Sequence, residues 1–197
     1  MYSNLNKPMK FKSPTVLANW LVAKGVDLSQ WGQASAKSVE DLWHEIINHD
    51  MVIDEDPLLR VVEVVTVIIR DGERVLIETA QQFKDGRRRS RNRPPSDKIK
   101  LGENYREAAI RCLDEELGIV SEQVQIMTNT HHVTQMVRQG VSYPGLPTQY
   151  YLHRVEAKVS HLPKHDFRTT ESTRSGRTDP VKYHYWSWLK VSDEVIG

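Results

Sequence analysis

The spacing of apolar residues changes along this chain, and each change predicts a different kind of element. Near the start, Val16, Leu17, Trp20 and Leu21 recur at helical spacing. Ser13 offers an N-cap, Pro14 takes the first helical position, where a missing N–H costs nothing, and Gly25 ends the run. A second helix is predicted from Ser38, with Asp41 three residues on as a variant capping box. Leu42, Trp43, Ile46 and Ile47 form its apolar stripe. On this reading Trp20, Trp31 and Trp43 are core anchors that hold a small helical unit, an extension over residues 1–57, on the main domain.

From Leu58 the pattern turns to strand. Val61 to Ile69 is a nearly continuous β-branched run broken only by Glu63, which predicts a strand covered on both faces. Arg70-Asp71-Gly72-Glu73 supplies a hairpin turn into a partner strand from Arg74 to Ala80. A basic loop, Pro94-Pro95 and a short segment around Ile99 come next, then a helix from about Asn104 to Leu117 with Gly118 at its C-cap. Val124 to Met136 and Thr148 to Val159 read as two further strands joined through Pro144-Gly145. His161 to Lys182 is polar and is expected to be a long exposed loop, and Lys182 to Val191 reads as a last strand. Of its aromatics Tyr183, Tyr185, Trp186 and Trp188, two should enter the core, while an exposed one could stack on a base.

Composition narrows the picture. At 197 residues and 22.8 kDa the chain suits one domain with an extension. No apolar run approaches the roughly 18 residues of a membrane span, so no membrane association is expected. The single cysteine, Cys112, excludes an internal disulfide framework and fits a reducing compartment, the cytoplasm or an organelle matrix. Residues 1–26 carry four lysines and no acid, but lack the Arg- and Ser-rich amphipathic character of a transit peptide.

Charge is unevenly spread. Lys84 to Arg93 holds six basic residues and one acid, a local +5, which leaves −4 for the rest of a chain of net +1. The loop 84–93, with Arg87, Arg88, Arg89 and Arg91, is therefore a candidate ligand-binding site for the phosphate of a nucleotide or RNA, or a solvated arginine-rich loop. The histidines show no zinc spacing, and adjacent His131 and His132 in a strand would face opposite sides.

The densest chemistry lies in K-I-K-L-G-E-N-Y-R-E-A-A-I-R-C-L-D-E-E-L-G-I, Lys98 to Ile119. This segment resembles the Nudix box, G-x5-E-x7-R-E-U-x-E-E-x-G-U, of enzymes that cut nucleoside diphosphates linked to another moiety. Glu103, Arg111, Leu113, Glu115, Glu116, Gly118 and Ile119 fall in register. The resemblance covers about residues 58–197 as a Nudix-like domain and implies an α/β fold. The architecture it implies is an α/β/α sandwich with a mixed sheet, the N-terminal helical extension lying outside it. It also implies catalytic roles for Glu103, Arg111, Glu115 and Glu116, with Glu115 and Glu116 on a Mg²⁺ or Mn²⁺ ion that activates water. A further acid often comes from a late loop, for which Asp166, Glu171 and Asp179 are candidates.

Positions 112, 115 and 116 share one helix face, and the family has a glutamate at each. Here the first is Cys112, a soft donor and a poor ligand for Mg²⁺. Asp97 stands where the family opens with Gly, in a backbone conformation that side chains often disfavour. Pro95-Ser96-Asp97 replaces P-G-G, and Lys100 replaces the acid that follows. These departures predict a degenerate centre, a pseudoenzyme acting by binding a nucleotide, RNA or a protein partner, the last through the extension. The alternative is an active Mg²⁺- or Mn²⁺-dependent pyrophosphohydrolase, and a third reading is a purely structural subunit.

Overall fold

The computed structural model describes residues 11–172 and 181–190. Three α-helices fall among them: α1 (Pro14–Ala23), α2 (Val39–Ile47) and α3 (Tyr105–Leu117). Nine strands accompany them among the described residues. They are β1 (Val52–Glu55), β2 (Leu58–Asp71), β3 (Arg74–Phe83), β4 (Arg88–Arg93), β5 (Ser96–Lys98), β6 (Val124–Gln139), β7 (Pro147–Val159), β8 (Phe167–Thr170) and β9 (Val181–Lys190). In hydrogen-bonding order they run β6-β7-β2-β3-β9-β8, with β1 and β5 on β2 and β4 on β3. The two ends of this path do not join, so the sheet is open; it is a mixed sheet with few helices, an α/β fold.

The chain divides into two compact units. The first holds the described residues up to 64 with 98–103 and 134–152. Its helices begin as their caps predict. The Ser13 hydroxyl accepts from the Val16 amide, and Ser38 and Asp41 complete a capping box. Leu17, Leu21, Val26, Trp31 and Leu42 pack with Met51, Ile53, Val62, Tyr143 and Leu146 in one core, against which Trp20 and Trp43 are partly buried. The three tryptophans thus anchor this unit. Trp31 Nε1 donates to the Pro144 carbonyl at 2.9 Å and Trp43 Nε1 to the Phe11 carbonyl at 3.0 Å. Val16, assigned to the apolar stripe, is instead exposed, because it precedes the buried Leu17 on a helix that hides one narrow face.

A buried carboxylate sits in the same unit. Glu45 Oε2 accepts from Arg60 Nη2 at 2.5 Å, and Oε1 accepts from Lys37 at 2.7 Å and pairs with Lys98 at 3.3 Å. Burial opposes its ionisation, but Lys98, Arg60 and Lys37 together outweigh burial and hold its pKa down to about 2.

The second unit comprises residues 65–97, 104–133 and those from 153 onward. Ile68, Val75 and Ile77 form a core cluster, and Val67 to Ile69 are buried in succession, as the β-branched run predicts. Gly72, at φ 61°, turns β2 into β3 with Asp71 opposite Arg74. Trp186 and Trp188 enter the core from β9.

Two expectations are corrected here. The basic segment is not all loop: β4 pairs Arg88, Arg89 and Ser90 with Gln82, Gln81 and Ala80 of β3. The stretch from His161 to Lys182 is not all loop either, since β8 pairs Phe167–Thr170 with Trp186–Tyr183 of β9. Both strands are short and mostly polar, so hydrogen bonding to a neighbour, not burial, specifies them.

Candidate active site

The box helix α3 is delimited by its own side chains. Asn104 accepts from the amides of Arg106 and Glu107, Glu107 reaches back to the Asn104 amide, and Gly118 closes the helix at φ 70°. This fixes the azimuth of the residues between. Ala108, Ala109, Cys112, Leu113 and Glu116 are buried, and Glu115 is partly so.

Cys112 is wholly buried. Its thiol is pushed well above its ordinary pKa, first by burial and then by the negative charge of Glu116 and Asp97. The thiol therefore stays protonated at neutral pH.

Arg111 lies one turn before Glu115, and Nη1 reaches Glu115 Oε2 at 3.3 Å. The same Nη1 meets Asp97 Oδ2 at 2.5 Å. Asp97 does not have a positive φ; it is extended in β5, so the strain expected at the former glycine position is absent. Its carboxylate instead completes a bridge from β5 through Arg111 to Glu115.

Glu116 is buried, and its Oε2 has no hydrogen-bond partner. Burial, then the charge of Glu78, push its pKa well up, against the pull of His184. Sequence reasoning missed Glu78 and His184. His184 Nδ1 lies 2.5 Å from Glu78 Oε1, His184 Nε2 meets Glu171 Oε2, and Arg91 Nε donates to Glu78 Oε2 at 2.9 Å. Burial lowers the His184 pKa, but the bonds to Glu171 and Glu78 outweigh it and raise it to about 10. His184 is thus an imidazolium between two carboxylates. The available signal was alternation: His184 shares the inward face of β9 with Trp186 and Trp188.

Of the three late acids, Glu171 joins this group, Asp166 is exposed just before β8, and Asp179 lies outside the described residues. Glu103 belongs to segment 98–103 of the first unit, where its carboxylate accepts from the Lys100 amide at 3.0 Å.

The four loop arginines have different polar or ring partners, although Arg87 and Arg89 both lie over the Phe83 ring, at 5.4 and 5.1 Å. Arg91 is spent on buried Glu78, and Arg89 Nε donates to Gln81 Oε1 at 2.8 Å. Arg87 pairs with Asp85 at 2.8 Å, and Arg88 lies 4.1 Å over the Tyr185 ring. His131 Nε2 lies 3.0 Å from His153 Nδ1 and its ring stacks on Tyr105 at 3.7 Å. Among the described residues no three His, Cys, Asp or Glu side chains converge as a ready metal cage. Nor is any described helix long and apolar enough to cross a membrane.

An open mixed sheet with a capped helix carrying paired glutamates behind an arginine defines the Nudix-fold class of protein. The profile of the NUDIX domain matches residues 59–193, most of the chain, and the chain belongs to that family. No curated protein matches it. Solved structures that resemble it include an Ap4A hydrolase of C. elegans in a binary complex, 17% identical over 68% of this chain and 83% of that one, with a TM-score of 0.37. A Nudix hydrolase of M. smegmatis is 18% identical over 74% and 81%, with a TM-score of 0.36. A NUDIX family hydrolase of Clostridium perfringens is 17% identical over 64% and 81%, with a TM-score of 0.34. Nudix hydrolases generally use a divalent metal such as Mg²⁺.

Proposed function

We propose that this chain is a Nudix-fold protein whose hydrolytic centre is impaired and which acts by binding an anionic ligand or a partner. The observation that carries this reading is the state of position 112. A hard cation wants oxygen donors, and there the helix presents a buried, protonated thiol. Glu115 is engaged by an arginine that Asp97 also holds, and Glu116 offers one unpartnered oxygen in a buried setting. That donor set fits a complete Mg²⁺ cage poorly. In this reading the extension, residues 1–57, provides a docking surface for a protein partner.

One observation favours the alternative, a metal-dependent hydrolase of a nucleoside diphosphate derivative. Glu116 sits in the field of Glu78 and Glu171, and its unpartnered oxygen is what a ligand awaiting a cation would present.

The test is Cys112→Glu, assayed beside the native protein with Mg²⁺ or Mn²⁺ on NDP-sugars, dinucleoside polyphosphates, NADH, ADP-ribose and capped RNA. The reading expects Mn²⁺ binding to strengthen by at least tenfold in the variant and turnover to appear only there. Equal turnover by the native protein would overturn it.

A further inference from the structure

The face of the second unit's sheet turned away from α3 has the makings of a second site. Its orientation follows from register. The Thr169 hydroxyl donates to the Glu116 carbonyl of α3, and Thr169 stands opposite His184. Thr169, His184 and Trp186 therefore face the helix. Strand alternation turns Arg168, Thr170, Tyr183 and Tyr185 to the other side.

On that side every tyrosine ring carries a cation. Arg88 lies 4.1 Å over Tyr185, while Arg168 and Lys182 lie 4.6 and 5.1 Å over Tyr183. At the edge formed by β4, a pocket of about 350 Å³ is lined by Thr79, Ala80, Arg88, Arg89, Ser90 and Tyr185. Of its two arginines, Arg88 stands on the face of Tyr185, while Arg89 bonds Gln81. Two half-buried rings two residues apart on one strand stand about 7 Å from each other, which gives each room for one splayed base. Guanidinium planes and tyrosine rings both stack on bases, while the cations beside them meet phosphates.

We propose that this face binds single-stranded nucleic acid, with Tyr183 and Tyr185 as stacking rings and Arg88, Arg168 and Lys182 as phosphate contacts. The charged groups over the two rings are all cations. A duplex hides its π-faces in the stack, so it meets only the charge. The inference rests on the reading that the protein acts by binding, and it names the ligand class.

The test is fluorescence anisotropy with a labelled oligouridylate of about a dozen nucleotides, within the site sizes of such grooves. Binding should weaken with salt at a log–log slope of about −2, as three phosphate contacts predict. Tyr183→Leu and Tyr185→Leu should each cost about tenfold in affinity. Arg88→Ala and Arg168→Ala, both at exposed positions, should weaken binding and flatten the slope. Duplex RNA binding as tightly as the single strand would overturn the proposal. So would affinity unchanged in the arginine variants, whether or not the tyrosine variants fold, or equal displacement by polyglutamate. Turnover is read separately. RNA binding together with native turnover would sink the impaired-centre reading alone, and neither binding nor turnover would sink this inference alone.

Discussion

The informative single residues of this Nudix domain are held by partners distant in sequence. Asp97, which looks like a lost glycine, is paired with Arg111, and Cys112 is buried against carboxylates. His184 carries its proton between Glu78 and Glu171, with its pKa raised to about 10. A raised pKa contributes stability that is complete below the unfolded value of 6.5 and disappears as pH rises through the folded one. Denaturant unfolding should therefore show stability falling between about pH 6.5 and 10, and His184→Gln should flatten that fall; an unchanged profile would refute the imidazolium. Glu45 is the counterpart in the first unit, a buried carboxylate bonded by Arg60, Lys37 and Lys98. Glu45→Gln leaves buried charge uncompensated and should cost about 3 kcal/mol or more, measured by the same unfolding curves. A loss under 1 kcal/mol would mean that the cations find water instead.

Elements show which signals a sequence transmits. The helix starts at Ser13, Ser38 and Asn104, the Gly118 cap, the hairpin at Gly72 and the entry of two β9 aromatics into the core were legible, though not which two, because caps, turns and alternation are local. The polar strands β4 and β8 were not, because Arg88–Arg93 and Phe167–Thr170 are specified by pairing with strands elsewhere in the chain. The box glutamates were legible as a register on α3, but the Asp97–Arg111 bridge and the Glu78–His184–Glu171 group are tertiary facts. At this scale the caps are testable. Asn104→Ala removes the acceptor for two amides and should destabilise by about 1 kcal/mol, seen as a lower Tm. No change would mean that packing alone sets where the helix begins.

For the whole molecule, family and activity separate. Membership of the Nudix family rests on a match across residues 59–193, whereas the proposed loss of hydrolysis rests on a few side chains of one helix. The uneven charge, concentrated between Lys84 and Arg93, is divided by β4 between a buried ion pair at Glu78 and an exposed aromatic face. The first is a structural ion pair, and the second is the face for which nucleic-acid binding is proposed. The most direct measurement of the central claim is Mg²⁺- and Mn²⁺-dependent turnover by the native protein beside a Glu115→Gln/Glu116→Gln double variant. The impaired centre predicts that the two are indistinguishable across nucleoside diphosphate derivatives. Metal-dependent turnover by the native protein that the double variant abolishes would contradict it.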